Sequence, residues 1–193
     1  MTNGIDITDY HGFKSFLSNL DKSSIYEIKP VFPEKTFKIL KEKLLPFMCA
    51  VSCEMVCDEG VLAGFVSTKS LSLNLMDYSA FIYAGKILNF LLVFDCDSGG
   101  ASDVLKFFSV DLSQNTSEDE ELLKSGVEEF ANIILGNSLN FIIESCSIQE
   151  KAPLIFGIPL SVKSDKLSVL SDEDIISYEI KTPSGKMRLS FVA

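Results

Sequence analysis

Residues 117–143 read SEDEELLKSGVEEFANIILGNSLNFII, and this stretch decides the fold of the chain. Its apolar residues recur at the three-and-four spacing that is typical of a helix with one face in a core. Ser117 and Glu120 predict a capping box, and the acidic residues near them suit the positive end of a helix dipole. The stretch therefore predicts one long helix, with core positions Leu123, Val127, Phe130, Ala131, Ile134, Phe141 and Ile142.

A narrow polar stripe interrupts the apolar pattern of this helix. At about 100° per residue, Ser125, Glu129, Asn132 and Gly136 fall within an arc of roughly 60°. An acid and an amide thus share one face, opposite the predicted core. Polar pairs at this spacing also occur on ordinary solvated helix faces. The alternative is therefore that the stripe is only the wet side of a surface helix.

The stripe and its surroundings resemble the signature of the CheC/CheX/FliY family of chemotaxis phosphatases, and of its CheX branch in particular. The helix predicted from Pro46 to Val56 has no second Glu-x-x-Asn, and one such pair per chain is the CheX pattern. Gly126 departs from the pattern, since glycine inside a helix costs about 1 kcal/mol relative to alanine. The other matching features are Ile133-Ile134-Leu135-Gly136-Asn137, Pro153 ahead of an apolar strand, Pro46-Phe47 and Ala84-Gly85-Lys86.

The chemistry that the side chains offer restricts the mechanism of any enzyme with this sequence. His11 is the only histidine, so histidine-based catalysis and His-rich metal sites are not expected. Cys49, Cys53 and Cys57 recur every fourth residue along an apolar helix, which favours packing over metal binding. The reactive parts must then come from the substrate. A phosphorylated receiver domain supplies them, because its aspartyl phosphate is activated and holds its own Mg²⁺.

Asn132 is the candidate for aligning the water that attacks this phosphate. A carboxamide accepts a hydrogen bond from water and, being neutral, does not repel the phosphoryl group. The resemblance implies the same role, and it implies that Glu129 pairs with the active-site lysine of a phosphorylated CheY-type response regulator. Ser125, Gly136 and Asn137 are expected to contact this partner. The competing hypothesis is a binding module of the same fold that recognises a receiver domain, or another signalling or flagellar-motor protein, without hydrolysis.

The composition is that of one folded domain. The chain has 193 residues, of which 47% are apolar, and this excludes general disorder. A formal net charge of −10 argues against binding to nucleic acid. No apolar run is long enough to insert into a membrane. Five cysteines without a visible secretory signal predict reduced thiols and a cytoplasmic location.

Residues 1–39 are predicted to form an N-terminal extension and residues 40–193 a CheX-like domain. We expect an α+β fold, in which an antiparallel β-sheet has helices packed on one side as in the CheC/CheX-like α/β sandwich. The resemblance further implies a homodimer. The predicted strands are Ser70 to Leu75 with its three leucines on one face, Ile82 to Phe94, Leu154 to Val162, and a hairpin of Ile175 to Thr182 and Lys186 to Val192, with Asp172-Glu173-Asp174 in a loop before it.

Overall fold

The computed structural model describes residues 3–5, 25–28, 40–56, 66–85, 90–110, 112, 117–145, 155–157, 159–163 and 167–192. A π-helical turn, Leu40–Leu44, leads into the first α-helix. The helices are α1 (Leu45–Val56), α2 (Ser98–Phe107) and α3 (Ser117–Ser145). The strands are β1 (Asn3–Ile5), β2 (Ile25–Ile28), β3 (Val66–Asn74), β4 (Tyr78–Gly85), β5 (Phe90–Cys96), β6 (Ile155–Phe156), β7 (Leu160–Lys163), β8 (Ser168–Lys181) and β9 (Lys186–Val192).

These strands form one sheet in the order β1-β2-β8-β9-β5-β4-β6, with β3 also paired to β8 and β7 paired to β4. The pairings among β3 to β9 are antiparallel, whereas β2 runs parallel to both β1 and β8. The predicted α+β fold is thus confirmed. The domain boundary at residue 39 stays a prediction, although β1 and β2 precede it and extend the sheet.

The sheet buries apolar side chains on both faces, and the described helices lie on one of them. Helices α1, α2 and α3 share a core with residues such as Ile82, Phe94 and Leu189. A second apolar cluster on the other face is built from strands and their connections, including Phe81 and Val93. Neighbouring residues of β4 and β5 therefore point into different clusters, as the two-residue period of a strand requires.

Two predicted boundaries are wrong, each for its own reason. The single strand predicted over residues 82–94 is two strands, because β4 ends at Gly85 and β5 begins at Phe90 as its antiparallel partner. Both strands are buried on both faces, so neither shows an alternating pattern that marks its end. The predicted loop at residues 172–174 lies within β8. Pairing with β3 on either side of this acidic segment overrides its local turn preference.

The leucines predicted for one face of β3 do not all point inward. Leu73 and Leu75 are buried, but the Leu71 side chain is 57% exposed. The pairing register with β8 shifts between Ser70 and Ser72, which identifies an irregularity at Leu71. A bulge of this kind changes the direction of a side chain without breaking the strand. The hairpin of β8 and β9 is confirmed, with Met187, Leu189 and Phe191 buried.

Helix α2 is joined to the turn between β8 and β9 by two aspartates. Asp97 caps α2 by accepting from the Gly100 N–H at 2.8 Å, and it also accepts from the Lys186 N–H at 3.0 Å. Asp103 is buried and accepts from the N–H of Ser184 at 2.6 Å and from its hydroxyl at 2.7 Å. The turn and the helix are thus held together by polar contacts.

A buried ion pair lies across β5 and β9. The Arg188 Nε donates to Asp95 at 2.9 Å, and Nη2 also contacts this carboxylate. The same pair holds the turn between β3 and β4, because Asp95 accepts from the Met76 N–H at 3.0 Å and Arg188 donates to the Asn74 carbonyl at 2.6 Å. Burial raises the pKa of the Asp95 carboxyl, and the Arg188 guanidinium opposes this effect.

Candidate functional site

The core face of α3 is the one predicted. Leu123, Val127, Phe130, Ala131 and Ile134 are all buried. The Phe130 ring lies 5.4 Å from the ring of Phe94 in β5 and 5.8 Å from that of Phe107 in α2, measured between centroids. The side chains of Phe141 and Ile142 lie outside the described part of the structure. Packing against the sheet and α2 therefore fixes how the helix is rotated.

This rotation exposes the polar stripe. Ser125, Glu129, Asn132 and Gly136 are all exposed and lie along one side of α3. Asn137 is exposed as well, but helical periodicity puts it about 140° from Asn132. The structure thus brings together four of the five predicted site residues and leaves Asn137 on another side. Pro153 lies outside the described residues.

Gly126 and Gly136 of α3 differ in the space around them. A Cβ added to Gly126 would lie 2.5 Å from Cδ2 of Leu105, so this glycine lets α2 approach α3. A Cβ added to Gly136 would meet nothing within 4 Å. Gly126 is therefore explained by helix packing, whereas Gly136 lies on the exposed stripe with no packing reason for lacking a side chain.

Strand β7 supports the flank of α3 through two polar contacts that the sequence did not reveal. The Ser161 hydroxyl donates to Oε2 of Glu128 at 2.6 Å, and the Lys163 ammonium pairs with Glu120. Glu120 therefore reaches β7 and not back to Ser117 as the predicted capping box requires. Glu128 is half-buried. No periodic signal in one sequence indicates which serine of a strand meets a given helix.

The exposed side of α3 is acidic. Glu118, Glu121 and Glu129 are exposed on it, and Lys124 lies 3.4 Å from Glu121. The hydrogen bond from Lys163 to Glu120 raises the pKa of that lysine, so its charge is already compensated. An open groove of about 510 Å³ runs beside the stripe, lined by Ser117, Glu118, Glu121, Leu122 and Ser125. This surface is complementary to a positively charged partner.

Other kinds of site find no support in the described ranges. Among those residues no group of three or more His, Cys, Asp or Glu side chains is arranged to hold a metal ion. Burial raises the pKa of the Cys49 and Cys96 thiols, as expected for cysteines that pack as small apolar residues. The described helices include none with the length and apolar character needed to cross a bilayer.

No protein-family model matches this chain, and no curated protein matches it. Solved structures do match it. A CheX chemotaxis protein from Desulfovibrio desulfuricans aligns with a TM-score of 0.59 at 18% identity, over 80% of this chain and 97% of its own. A CheC-like superfamily protein from Shewanella sp. PV-4 aligns with a TM-score of 0.58 at 15% identity, over 84% and 100%.

A third match is a chain of the CheX–CheY–BeF3–Mg²⁺ complex from Borrelia burgdorferi. It aligns with a TM-score of 0.56 at 14% identity, over 79% of this chain and 96% of its own. The fold that the sequence resemblance implied is confirmed by these matches. This protein therefore has the fold of the CheX and CheC-like chemotaxis proteins.

Proposed function

We propose that this protein hydrolyses the aspartyl phosphate of a CheY-type response regulator and so ends a chemotaxis signal. The observation that carries the proposal is the exposed pair Glu129 and Asn132 on α3. Both side chains point away from the core, on a helix whose opposite face is closely packed. An acid and an amide that serve no described packing role are available for a partner. The CheX fold and the sequence resemblance agree with this use.

In the proposed reaction Asn132 aligns the attacking water. Its carbonyl oxygen accepts a hydrogen bond from the water and directs the water oxygen at phosphorus. The new bond to phosphorus forms as the bond from phosphorus to the aspartyl oxygen breaks. The electron pair of the broken bond leaves with the carboxylate, and the protons of the water pass to phosphate and solvent. No nucleophile of this chain is consumed.

Glu129 is proposed to dock the helix. Its carboxylate pairs with the active-site lysine of the receiver and sets the register that brings Asn132 to the phosphoryl group. The Mg²⁺ that we expect in the reaction belongs to the receiver, where it neutralises charge on the phosphoryl oxygens. Ser125 lies one turn before Glu129 and is proposed to contact the partner. Gly136 leaves room for the partner to approach the helix backbone.

The test is the decay of phosphate on a CheY-type receiver that has been labelled and freed of its kinase. We expect wild-type protein to accelerate the decay and N132A to lose a factor on the order of 10² or more, because the water is no longer aligned. N132A should still bind a beryllofluoride-activated receiver, whereas E129Q should bind it weakly. Exposed Glu54 on α1 gives a matched control, E54Q, that should behave as wild type.

If N132A accelerated the decay of the receiver phosphate as fast as wild type does, the assigned mechanism would be refuted.

A second candidate function is a binding module of the same fold. It is favoured by the length of the chain, since the matched structures cover between 79% and 84% of it while using nearly all of their own length. The residues beyond the match could serve another partner. This candidate predicts saturable binding of the activated receiver with no change in phosphate lifetime.

We also propose that the protein is a cytoplasmic homodimer. Within the described strands β3 pairs with β8 alone, which leaves a long strand edge and the exposed Leu71 for a second copy. Light scattering at several concentrations tests this proposal. A particle of 21.3 kDa at every concentration would contradict it.

A further inference from the structure

We infer that Ser161 of β7 is a positioning residue that keeps the Asn132 carboxamide free for its water. It acts through Glu128, whose carboxylate it holds against the sheet. The inference rests on the proposed function, because Asn132 has this task only if the protein is a phosphatase. It adds a strand residue to a site that otherwise lies entirely on α3.

The geometry on which this depends is the helical neighbourhood of Glu128 and Asn132. Residues four apart on a helix have Cβ atoms about 5–6 Å apart, so a glutamate can reach an amide one turn later. In the structure the Glu128 carboxylate is bound by strand β7 instead. It accepts a 2.6 Å hydrogen bond from the Ser161 hydroxyl, and both side chains are half-buried between α3 and β7.

An unrestrained Glu128 would interfere with the proposed reaction in two ways. Its carboxylate is a strong acceptor and would take a hydrogen bond from the NH₂ group of Asn132, which fixes the amide in an orientation set by the helix and not by the water. It would also place a second negative charge beside a phosphoryl group that is itself negative. By binding this carboxylate at β7, the Ser161 hydroxyl holds both the acceptor and its charge away from Asn132.

A neighbouring contact of β7 provides the matched control. Lys163 lies two residues after Ser161 on the strand and pairs with Glu120, two turns before Glu128 on the helix. If β7 merely holds α3 in place, loss of the Lys163 contact and loss of the Ser161 contact should have similar effects. If Ser161 acts through the charge of Glu128, only its removal should disturb Asn132.

The experiment compares S161A, S161T, S161A/E128A and K163A. In the phosphate-decay assay we expect S161A to lower kcat on the order of 5- to 10-fold, as the loss of one positioning hydrogen bond does, with little change in KM. S161T keeps the hydroxyl and should retain activity, and E128A should rescue S161A because it removes both the acceptor and the charge. K163A should resemble wild type. A fully active S161A, or a double variant without rescue, overturns the inference.

A second readout does not depend on activity. The side-chain amide of Asn132 gives an NMR signal that N132A identifies, and S161A should shift it as the Glu128 carboxylate binds the NH₂ group. S161T and the double variant should return the signal towards its wild-type position. An unshifted signal in S161A overturns the inference even if the wild-type protein proves to be an active phosphatase. A shifted signal in a protein that never accelerates decay would leave the contact standing and refute the proposed function alone.

Discussion

At the scale of single residues, one face of α3 carries side chains that pack in the core, and the other carries the exposed polar stripe. Leu123, Val127 and Phe130 are buried, whereas Ser125, Glu129 and Asn132 on the same helix are exposed. The two glycines of α3 also differ in whether they contact the core. Gly126 faces Leu105 of α2, and Gly136 faces open space. This contrast gives a prediction in which two identical substitutions have opposite effects.

We expect G126A to destabilise the protein and G136A to stabilise it. Alanine is favoured over glycine in a helix by about 1 kcal/mol, and G136A should gain most of this. At Gly126 the added methyl group would overpack against buried Leu105, which costs about 1–3 kcal/mol and outweighs the helix preference. Urea unfolding of both variants measures the free energies. Stabilisation by G126A would show that α2 has room to move aside.

At the scale of elements, polar contacts decide how α2 meets the β8–β9 hairpin. Asp103 lies in the second turn of α2 and binds the backbone and side chain of Ser184 in the hairpin turn. Lys106 lies 2.8 Å from the same carboxylate. Burial alone would raise the pKa of Asp103, but the hydrogen bonds from Lys106 and Ser184 outweigh this effect and lower it. The contacts between α2 and the hairpin turn therefore favour the charged form of Asp103.

The sign of this pKa shift predicts how stability depends on pH. A carboxyl with a lowered pKa in the folded state adds stability at neutral pH, and this is lost as the pH falls below the ordinary Asp value of about 4. D103N should be less stable than wild type by about 1–2 kcal/mol at pH 7, because it loses charge-assisted hydrogen bonds. The difference should narrow at pH 3. Chemical unfolding at both pH values measures it, and an equal difference at both would contradict the assignment.

The success of prediction from sequence also varies between elements. Helix α3 was predictable because its buried and exposed residues follow one period over many turns. The hairpin was predictable because Pro183-Ser184-Gly185 separates two alternating strands. The junction of β4 and β5 was not, since strands buried on both faces lack the pattern that marks their ends. The contacts of Ser161 and Lys163 with α3 could not be predicted from the sequence, because they depend on which strand packs beside the helix.

At the scale of the whole molecule, the sheet separates two apolar clusters, and an ion pair is buried beside the second one. Asp95 is fully buried, and 16% of the Arg188 side chain is exposed. The pair also holds the turn between β3 and β4 through Asn74 and Met76. The ion pair therefore links the central strands β5 and β9 to the end of strand β3.

We expect R188M to lower the free energy of unfolding by about 3–5 kcal/mol, because it leaves the Asp95 carboxylate buried without its partner. The double variant D95N/R188M should recover part of this loss, since the charge is then absent as well. Thermal or urea unfolding of the single and double variants gives the comparison. A double variant as unstable as R188M would show that the fold needs the shape of the arginine and not its charge.

The exposed stripe of α3 has a consequence for how this protein can evolve. Because Ser125, Glu129 and Asn132 are exposed opposite the packed face of α3, we expect substitutions of these residues to alter the proposed activity with little effect on the amount of folded protein. A scan of every substitution along the helix would then show two interleaved patterns with the same period. One would follow the level of folded protein, and the other would follow the proposed phosphatase activity.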